Sequence, residues 1–296
     1  MIGPDHEGPR PSTGAGFTDS VSFAFAEAEE DLYGLARIGV APDERRASGL
    51  AVLFAGSEPA AALAVGGVDV PEPGWDDVRV SGLRAQIIQP LESWRLELEA
   101  DRGGLELDFS AVCAPLELGP ATDAARASGV EGYEQLCQVE GEVRVDGRSR
   151  RLACLGQRGH GWGPAPWERI DLARTVSAWL DGPRWLTLSA VRPAGADAPD
   201  REATTAFLVE PGDDDPAVLA IAEPRLSTTY DADGRQRRAG LELWVSEEDD
   251  LPRRAAGEVA CGTSLDLGRL RLQCAFFRWR MEGRTGVGRY DVLARA

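Results

Sequence analysis

The chain has 296 residues, 43% of them hydrophobic, enough for one large core or two of barrel size and too ordered a composition for a disordered tail. Its 49 acidic residues outnumber 32 basic ones, and the formal charge of -17 repels phosphate backbones and anionic lipid head groups at long range. Nucleic acid and membrane surfaces are therefore poor partners, and no apolar run approaches the roughly 18 residues that span a bilayer.

Residues 1–17 are rich in Pro and Gly and lack a basic start followed by an apolar stretch, so they read as a flexible leader rather than a secretory signal. A soluble, cytoplasmic protein is expected. The five cysteines, Cys113, Cys137, Cys154, Cys261 and Cys274, form no CxxC pair and mostly fall in apolar strand patterns, which favours buried reduced thiols over disulfides or zinc.

From Ser22 onward the patterns are mostly of period two. Strands are predicted at Ser22 to Ala26, Leu50 to Ala55 and Arg84 to Gln89. In Glu92 to Ala100, Trp94, Leu96 and Leu98 alternate with charged residues, and Leu105 to Val112 repeats the pattern, with Gly103-Gly104 read as the hairpin between them. A short helix is predicted near Ala121 to Ser128. A second hairpin turns at Asp146-Gly147, a pair suited to a type I′ turn, between Val143, Val145 and Leu152.

In the second half, strands are predicted at Thr175 to Leu180, Trp185 to Val191, Thr204 to Val209, Leu241 to Ser246, Arg269 to Arg280 and Tyr290 to Leu293. Turn signals recur at Asp181-Gly182-Pro183, Pro211-Gly212, Asp233-Gly234 and Gly283. The acidic groups Asp213 to Asp215 and Glu247 to Asp250 read as solvated loops rather than metal ligands. So many strands with so little helix predict an all-β, antiparallel fold of sandwiches or up-and-down barrels.

The segment Leu155 to Trp167, LGQRGHGWGPAPW, packs four glycines, two prolines, two tryptophans and one of only two histidines into a stretch that does not read as a strand. Its glycines permit close backbone approach, Trp162 and Trp167 offer apolar faces, and His160 is a candidate for proton transfer near neutral pH. The alternative is an interdomain connector whose tryptophans fill a junction and whose histidine caps backbone groups. There is no GxxxxGK[ST] loop, no strand leading to a GxGxxG turn and helix, and no GxSxG; with His6 in the leader, His160 is left as the candidate base. No cofactor and no metal are predicted.

The stretch Gly132-Tyr133-Glu134-Gln135, the hairpin GEVRVDG and the segment GQRGHGWGPAPW together resemble the central region of the lipocalin-like carotenoid 1,2-hydratase (hydroxyneurosporene synthase) superfamily, in particular its uncharacterised bacterial members. Arg158, His160, Trp162, Gly163 and Trp167 fall on that superfamily's R-D-H-S-W-G pattern and its following tryptophan. Gly159 and Gly161 stand where an acidic residue and a serine are usual, so no role for that acidic residue carries over. The resemblance implies two tandem lipocalin-like (calycin-type) antiparallel β-barrels, residues 18–165 and 166–296, with the motif near their junction. It also implies a small apolar ligand of the isoprenoid, polyene or polyketide kind.

Hydration of an isolated alkene needs a proton donor still protonated near neutral pH, a positioned water and walls that tolerate transient positive charge. Glu134, between Tyr133 and Leu136 on an expected core strand, is the first candidate acid, and His160 the alternative. The plainer reading of Glu134 is an exposed strand residue or a partner for Arg158. Tyr133, Arg158, Trp162, Trp167 and Trp179 are the candidate ligand-binding residues, and Trp185, Trp244 and Trp279 read either as cavity lining or as plain core. Hydratase or lyase chemistry is the first reading and requires an ionisable group facing an apolar cavity. A pericyclase of a polyene natural product needs only shape, aromatic walls and a hydrogen-bond donor such as the Trp162 indole, and a barrel lined by Trp and Tyr with no buried acid would favour it. A carrier of lipids or pigments needs only an open barrel. The oligomeric state is not predicted.

Overall fold

The computed structural model describes residues 2–70, 74–181, 184–196, 202–212 and 216–296. Strands hold 68% of the chain and helices 4%, all pairings are antiparallel, and the strands close into one nearly complete barrel and one half-barrel, consistent with two lipocalin-like barrels. The all-β expectation holds. The chain divides into a first unit, residues 1–121 with 129–165, and a second unit, residues 122–128 with 166–296.

The first unit runs through β1 (Thr18–Glu27), β2 (Leu32–Ala41), β3 (Arg46–Ala55), β4 (Glu58–Asp69), β5 (Asp77–Val80), β6 (Leu83–Gln89), β7 (Ser93–Ala100), β8 (Gly103–Ala111), β9 (Leu116–Leu118), β10 (Glu131–Val145) and β11 (Arg148–Gly163). The sheet order is β4-β3-β2-β1-β11-β10-β8-β7-β6-β5, with β9 beside β10. Two meanders are thus joined by the pairing of β1 with β11, the first and last strands of the unit. Alternate residues of these strands, among them Val21, Phe23, Phe25, Leu53, Trp94, Leu96, Leu98, Leu107, Phe109, Cys137 and Val139, form one buried apolar interior.

The structure corrects three local expectations in this unit. The segment around Arg158 and His160 is not irregular: it is the second half of β11, paired along its length with β1 on one side and β10 on the other. Its glycines are tolerated because Gly159 and Gly161 alternate with Arg158, His160 and Trp162 and so fall on the opposite face of the strand. The β7–β8 hairpin turns at Asp101-Arg102, with Ala100 opposite Gly103, so the two glycines begin β8 instead of making the turn. Residues 2–17, expected to be a flexible leader, are part of the first unit and send Glu7, 1% exposed, into it. The Asp146-Gly147 hairpin does join β10 to β11, both residues having the positive φ that a type I′ turn requires, 48° and 77°.

The second unit holds a short helix α1 (Asp123–Ser128) and β12 (Ile170–Leu180), β13 (Arg184–Pro193), β14 (Ala203–Glu210), β15 (Ala217–Ala220), β16 (Glu223–Tyr230), β17 (Gln236–Trp244), β18 (Arg253–Asp266), β19 (Leu270–Met281) and β20 (Arg284–Arg295). The order is β15-β14-β13-β12-β20-β19-β18-β17-β16, and the concave side buries Val176, Leu180, Leu188, Leu208, Phe277, Trp279 and Tyr290. The helix packs Ala124 against Ile170 and Val191, and its Ala124 N–H donates to Thr205 Oγ1 at 3.1 Å. The acidic group 213–215 and the turn residues Gly182 and Pro183 lie outside the described residues. Four of the five cysteines are buried, all five are free thiols, and burial pushes Cys137, Cys154 and Cys274 up to about 12.

Candidate active site in the first unit

Three adjacent strands set side chains in rows across the interior of the first unit. Asp19 of β1, Trp162 of β11 and Glu131 of β10 share one row, Val21, His160 and Tyr133 the next, and Phe23, Arg158 and Gln135 the third. Arg158, His160 and Trp162 are spaced i, i+2, i+4, so one strand presents all three to the same side. The third row is flanked by apolar packing, with Phe23 against Trp94 and Phe109 at ring separations of 5.7 and 5.1 Å.

Two buried polar pairs organise these rows. In the first, His160 Nε2–H donates to Asp19 Oδ1 at 2.6 Å, with side chains 0% and 4% exposed. Asp19 Oδ2 accepts from the Trp75 indole N–H and from the Arg10 backbone N–H, each at 2.9 Å. With Nε2 committed to Asp19, Nδ1 is the nitrogen left to exchange a proton, and it has no hydrogen-bond partner among the described residues. The imidazole is walled edge-on by Trp75, Tyr133 and Trp162, at ring separations of 5.7, 5.8 and 5.4 Å.

In the second pair Arg158, 2% exposed, donates through Nη2 to Glu7 Oε1 and to Gln135 Oε1, both at 2.6 Å. Glu7 also accepts from the Tyr133 hydroxyl at 2.7 Å and from the Trp94 indole at 2.6 Å. Burial pushes the Tyr133 phenol well above its usual range, so it remains a donor. Burial works against the charge on Arg158, but the Tyr133 and Glu7 oxygens outweigh it and hold the guanidinium protonated. The same guanidinium lies over the faces of Trp94 and Tyr133, 5.7 and 5.5 Å from their centroids.

Of the residues expected from sequence, His160, Arg158, Tyr133 and Trp162 come together here. Glu134 does not: it alternates with Tyr133 and Gln135 along β10, facing the other side of the sheet opposite Gly159, and is half-buried there. Trp167 falls in the second unit, against the small cluster of Ala124, Ile170 and Val191. Trp179 is also in the second unit, on the face turned away from that unit's core residues Ala178 and Leu180. Its indole and that of Trp185 both donate to Ser177 Oγ at 2.9 Å. Trp279 is core, stacked on Phe277, and half-buried Trp244 lies under Arg225 at 4.5 Å.

Sequence reading missed Glu7, Asp19, Gln135, Trp75 and Trp94. It also set aside His6, whose ring lies 6.3 Å from that of Trp162, so both histidines of the chain converge on one tryptophan.

Neither of two prominent cavities touches His160 or Glu134. One is a depression of about 1000 Å³ on the outer face of β7, β8, β10 and β11, lined by Glu97, Glu106, Asp108, Glu140 and Glu142 among others. The other is an apolar gap between Phe23, Phe25, Ala36, Leu96 and Leu98 with no room for a water molecule. With residues 2–17 in place, the polar rows are covered by Glu7 and by Arg10, whose guanidinium stacks 4.5 Å above the Trp162 ring. Among the described residues, no group of three or more His, Cys, Asp or Glu side chains could hold a metal, and no helix is long and apolar enough to cross a membrane.

A family model described as a domain of unknown function, DUF7064, matches residues 3–295. The chain belongs to the DUF7064 family. No curated protein sequence matches it. Among solved structures, an AttH-like protein of Nitrosomonas europaea superposes with a TM-score of 0.68 at 13% identity, covering 93% of this chain and 91% of that one. Kievitone hydratase from Nectria haematococca gives 0.67 at 13% identity, over 99% and 93% of the two chains. CghA bound to Sch210972 gives 0.64 at 13% identity, over 95% and 89%. At this identity the likeness is one of fold, and it extends over the whole two-unit architecture of the DUF7064 chain.

Proposed function

We propose that the first unit binds a small apolar molecule of the isoprenoid, polyene or polyketide kind within its barrel, in space beside His160 that opens when residues 2–16 move aside, as an offshoot of the lipocalin-like carotenoid hydratase group. We further propose that His160, oriented by Asp19, moves a proton in the addition of water to, or its elimination across, a carbon–carbon double bond. The observation that carries the reading is the buried Asp19–His160 pair, with Nδ1 unpartnered among the described residues and rings of Trp75, Tyr133 and Trp162 around it.

The chemistry follows from that arrangement. The Asp19 carboxylate holds Nε2–H and stabilises the ring when it is charged, so Nδ1 can deliver a proton to one alkene carbon. Water adds to the other carbon and returns a proton to Nδ1, leaving hydrogen on one carbon and hydroxyl on its neighbour. Positive charge developing between these steps faces aromatic rings, each interaction contributing about 0.5–2 kcal/mol. The reading asks for no cofactor and gives Glu134 no part. A protein of this fold named as a hydratase, from Nectria haematococca, is consistent with it. A barrel lined by Trp and Tyr with no buried acid would favour a cyclase; here Asp19 and Glu7 are buried beside these walls, which favours the hydratase reading.

The test is intrinsic tryptophan fluorescence titrated with polyenes, isoprenoids and fatty acids, followed by mass analysis of the recovered ligand, in the native chain and in His160→Ala and Asp19→Asn. A ligand that gains or loses the mass of water, with the change abolished in His160→Ala, supports the proposal. An isomerised ligand of unchanged mass would move the assignment to a cyclase, an unaltered ligand to a carrier. No saturable response to any apolar ligand would sink the barrel-ligand reading itself.

A further inference from the structure

Arg158 is a cation enclosed by the barrel, and every residue on the strands around it is neutral where it touches the guanidinium: Gln135, Tyr133 and Trp94. Its only counter-ion among the described residues, Glu7, comes from outside the barrel wall. Glu7 belongs to the N-terminal segment, which is attached in an unusual way. Among the described residues, 2–16 make no backbone–backbone hydrogen bond to any strand; their backbone bonds, His6 to Gly3, Glu7 to Pro4 and Phe17 to Gly14, close local turns. The segment is held by the Glu7 carboxylate, by Arg10 over Trp162 and to Asp19 Oδ2, and at its far end by Ser12 Oγ donating to Asp43 Oδ2 at 2.6 Å. Gly14 and Gly16, with φ of 132° and 79°, lie between these contacts and β1 in conformations only glycine adopts freely, in a turn closed by the Phe17 N–H to the Gly14 carbonyl.

We propose that Arg158, Gln135, Tyr133 and Trp94 form a carboxylate-binding subsite, that Glu7 fills it as a built-in surrogate, and that the ligand is an apolar molecule carrying a carboxylate, which enters by displacing residues 2–16. The proposal rests on the reading of the barrel as a ligand site and narrows its ligand class. The reason is electrostatic. A neutral molecule that displaced Glu7 would leave Arg158 buried and unpaired, a penalty equivalent to about a hundredfold or more in affinity, whereas a carboxylate restores the ion pair and accepts the same Tyr133 and Trp94 hydrogen bonds. Glu7 is tethered and competes at high effective concentration, so removing its charge strengthens ligand binding. Displacement also takes the Arg10 N–H away from Asp19, linking occupancy of the subsite to the hydrogen bonding of the His160 partner.

The experiment compares dodecanoate and dodecanol, which share a chain and differ in charge, as tryptophan-fluorescence titrants below their aggregation limits, with the full chain and its Glu7→Gln variant. The expected result is dodecanoate bound about a hundredfold or more tightly than dodecanol by the native chain, and a further gain of tenfold or more for dodecanoate in Glu7→Gln. Hydrogen exchange of the native chain provides a measurement that needs no variant: saturating dodecanoate should speed exchange at Glu7 and Arg10. Equal affinity for the two titrants, or exchange at residues 2–16 unchanged at saturation, overturns the subsite while leaving the barrel as a site for apolar ligands. Binding of neither titrant by either protein overturns the subsite and the barrel reading together.

Discussion

Removing the Glu7 side chain tests whether the buried ion pair exists in solution. In Glu7→Ala, Arg158 loses its counter-ion at 2% exposure, and the Tyr133 hydroxyl and the Trp94 indole lose an acceptor. Breaking a buried pair from one side costs about 3–5 kcal/mol, because the remaining charge stays desolvated. The two orphaned donors would add to that, but a segment freed of its anchor admits water and relieves part of the penalty, so about 3–5 kcal/mol is the expected loss. At about 2–4 °C per kcal/mol for a chain of this size, the melting temperature should fall by about 6–20 °C. The assay is urea unfolding followed by tryptophan fluorescence, run as a cycle with Arg158→Met and the double variant. The double variant should recover much of the loss, because it removes the uncompensated charge. A Glu7→Ala midpoint indistinguishable from the native one would mean that residues 2–17 do not occupy the barrel in solution, and the geometry built on Glu7 would fall with it.

Glu134→Gln should leave any ligand response and product yield unchanged while His160→Ala abolishes turnover, since the two side chains face opposite sides of the sheet; equal loss in both, by product mass analysis, would contradict that placement. Gly161→Ser, which restores the serine of the related motif, should be near-neutral in urea unfolding, because a Cβ there meets nothing closer than 3.6 Å. Gly159→Ala should cost more, with Ser22 Oγ and the Tyr133 carbonyl at 3.1 and 3.2 Å. Cys137, Cys154 and Cys274, pushed up to about 12 by burial, should resist a thiol reagent at pH 8 and react only on denaturation; rapid native-state labelling of any of them would show that its strand opens. In the second unit, hydrogen bonds from Arg253 hold the Glu210 and Glu282 carboxyls below their usual 4.5. Carboxyls depressed in the folded state stabilise it above the unfolded value and lose that contribution as pH falls through the folded one. The urea midpoint should therefore drop below about pH 4.5, and Arg253→Met should flatten that acid limb.

The strands legible in sequence are those with one wet face. β7 and β8 alternate buried and half-exposed positions, and their periodicity was sufficient to place them. β2, by contrast, is buried at eight of its ten positions, on both faces, so LYGLARIGVA carries no alternation and was invisible. β11 was hidden by its glycines, which read as breakers although the strand runs between two partners and one of its faces tolerates them. Glu7 was beyond any local pattern: its partners lie 87, 126 and 151 residues away, and nothing in a Pro- and Gly-rich beginning marks one acid for burial. Asp19 is legible in retrospect, as an acid on the apolar face of a strand otherwise set with Val21, Phe23 and Phe25.

The two departures from the related motif bear on catalysis differently once the strand is seen. In R-G-H-G-W the three residues with large side chains are alternate positions of β11, and the glycines stand on the opposite face from His160. A carboxylate at position 159 would project toward Ser22 and the Tyr133 backbone rather than toward the imidazole. The acid that pairs with His160 is supplied by the neighbouring strand, from Asp19 one row away, and the acid that pairs with Arg158 is supplied by the N-terminal segment. The glycines at 159 and 161 therefore take nothing from the contacts of this cluster. On the proposed reading what matters is access: the His160 side chain is buried, and, among the described residues, 2–16, which carry Glu7 and Arg10, make no backbone–backbone hydrogen bond to any strand. If a ligand enters as proposed, by displacing residues 2–16, the Glu7–Arg158 pair that stabilises the first unit also resists that entry.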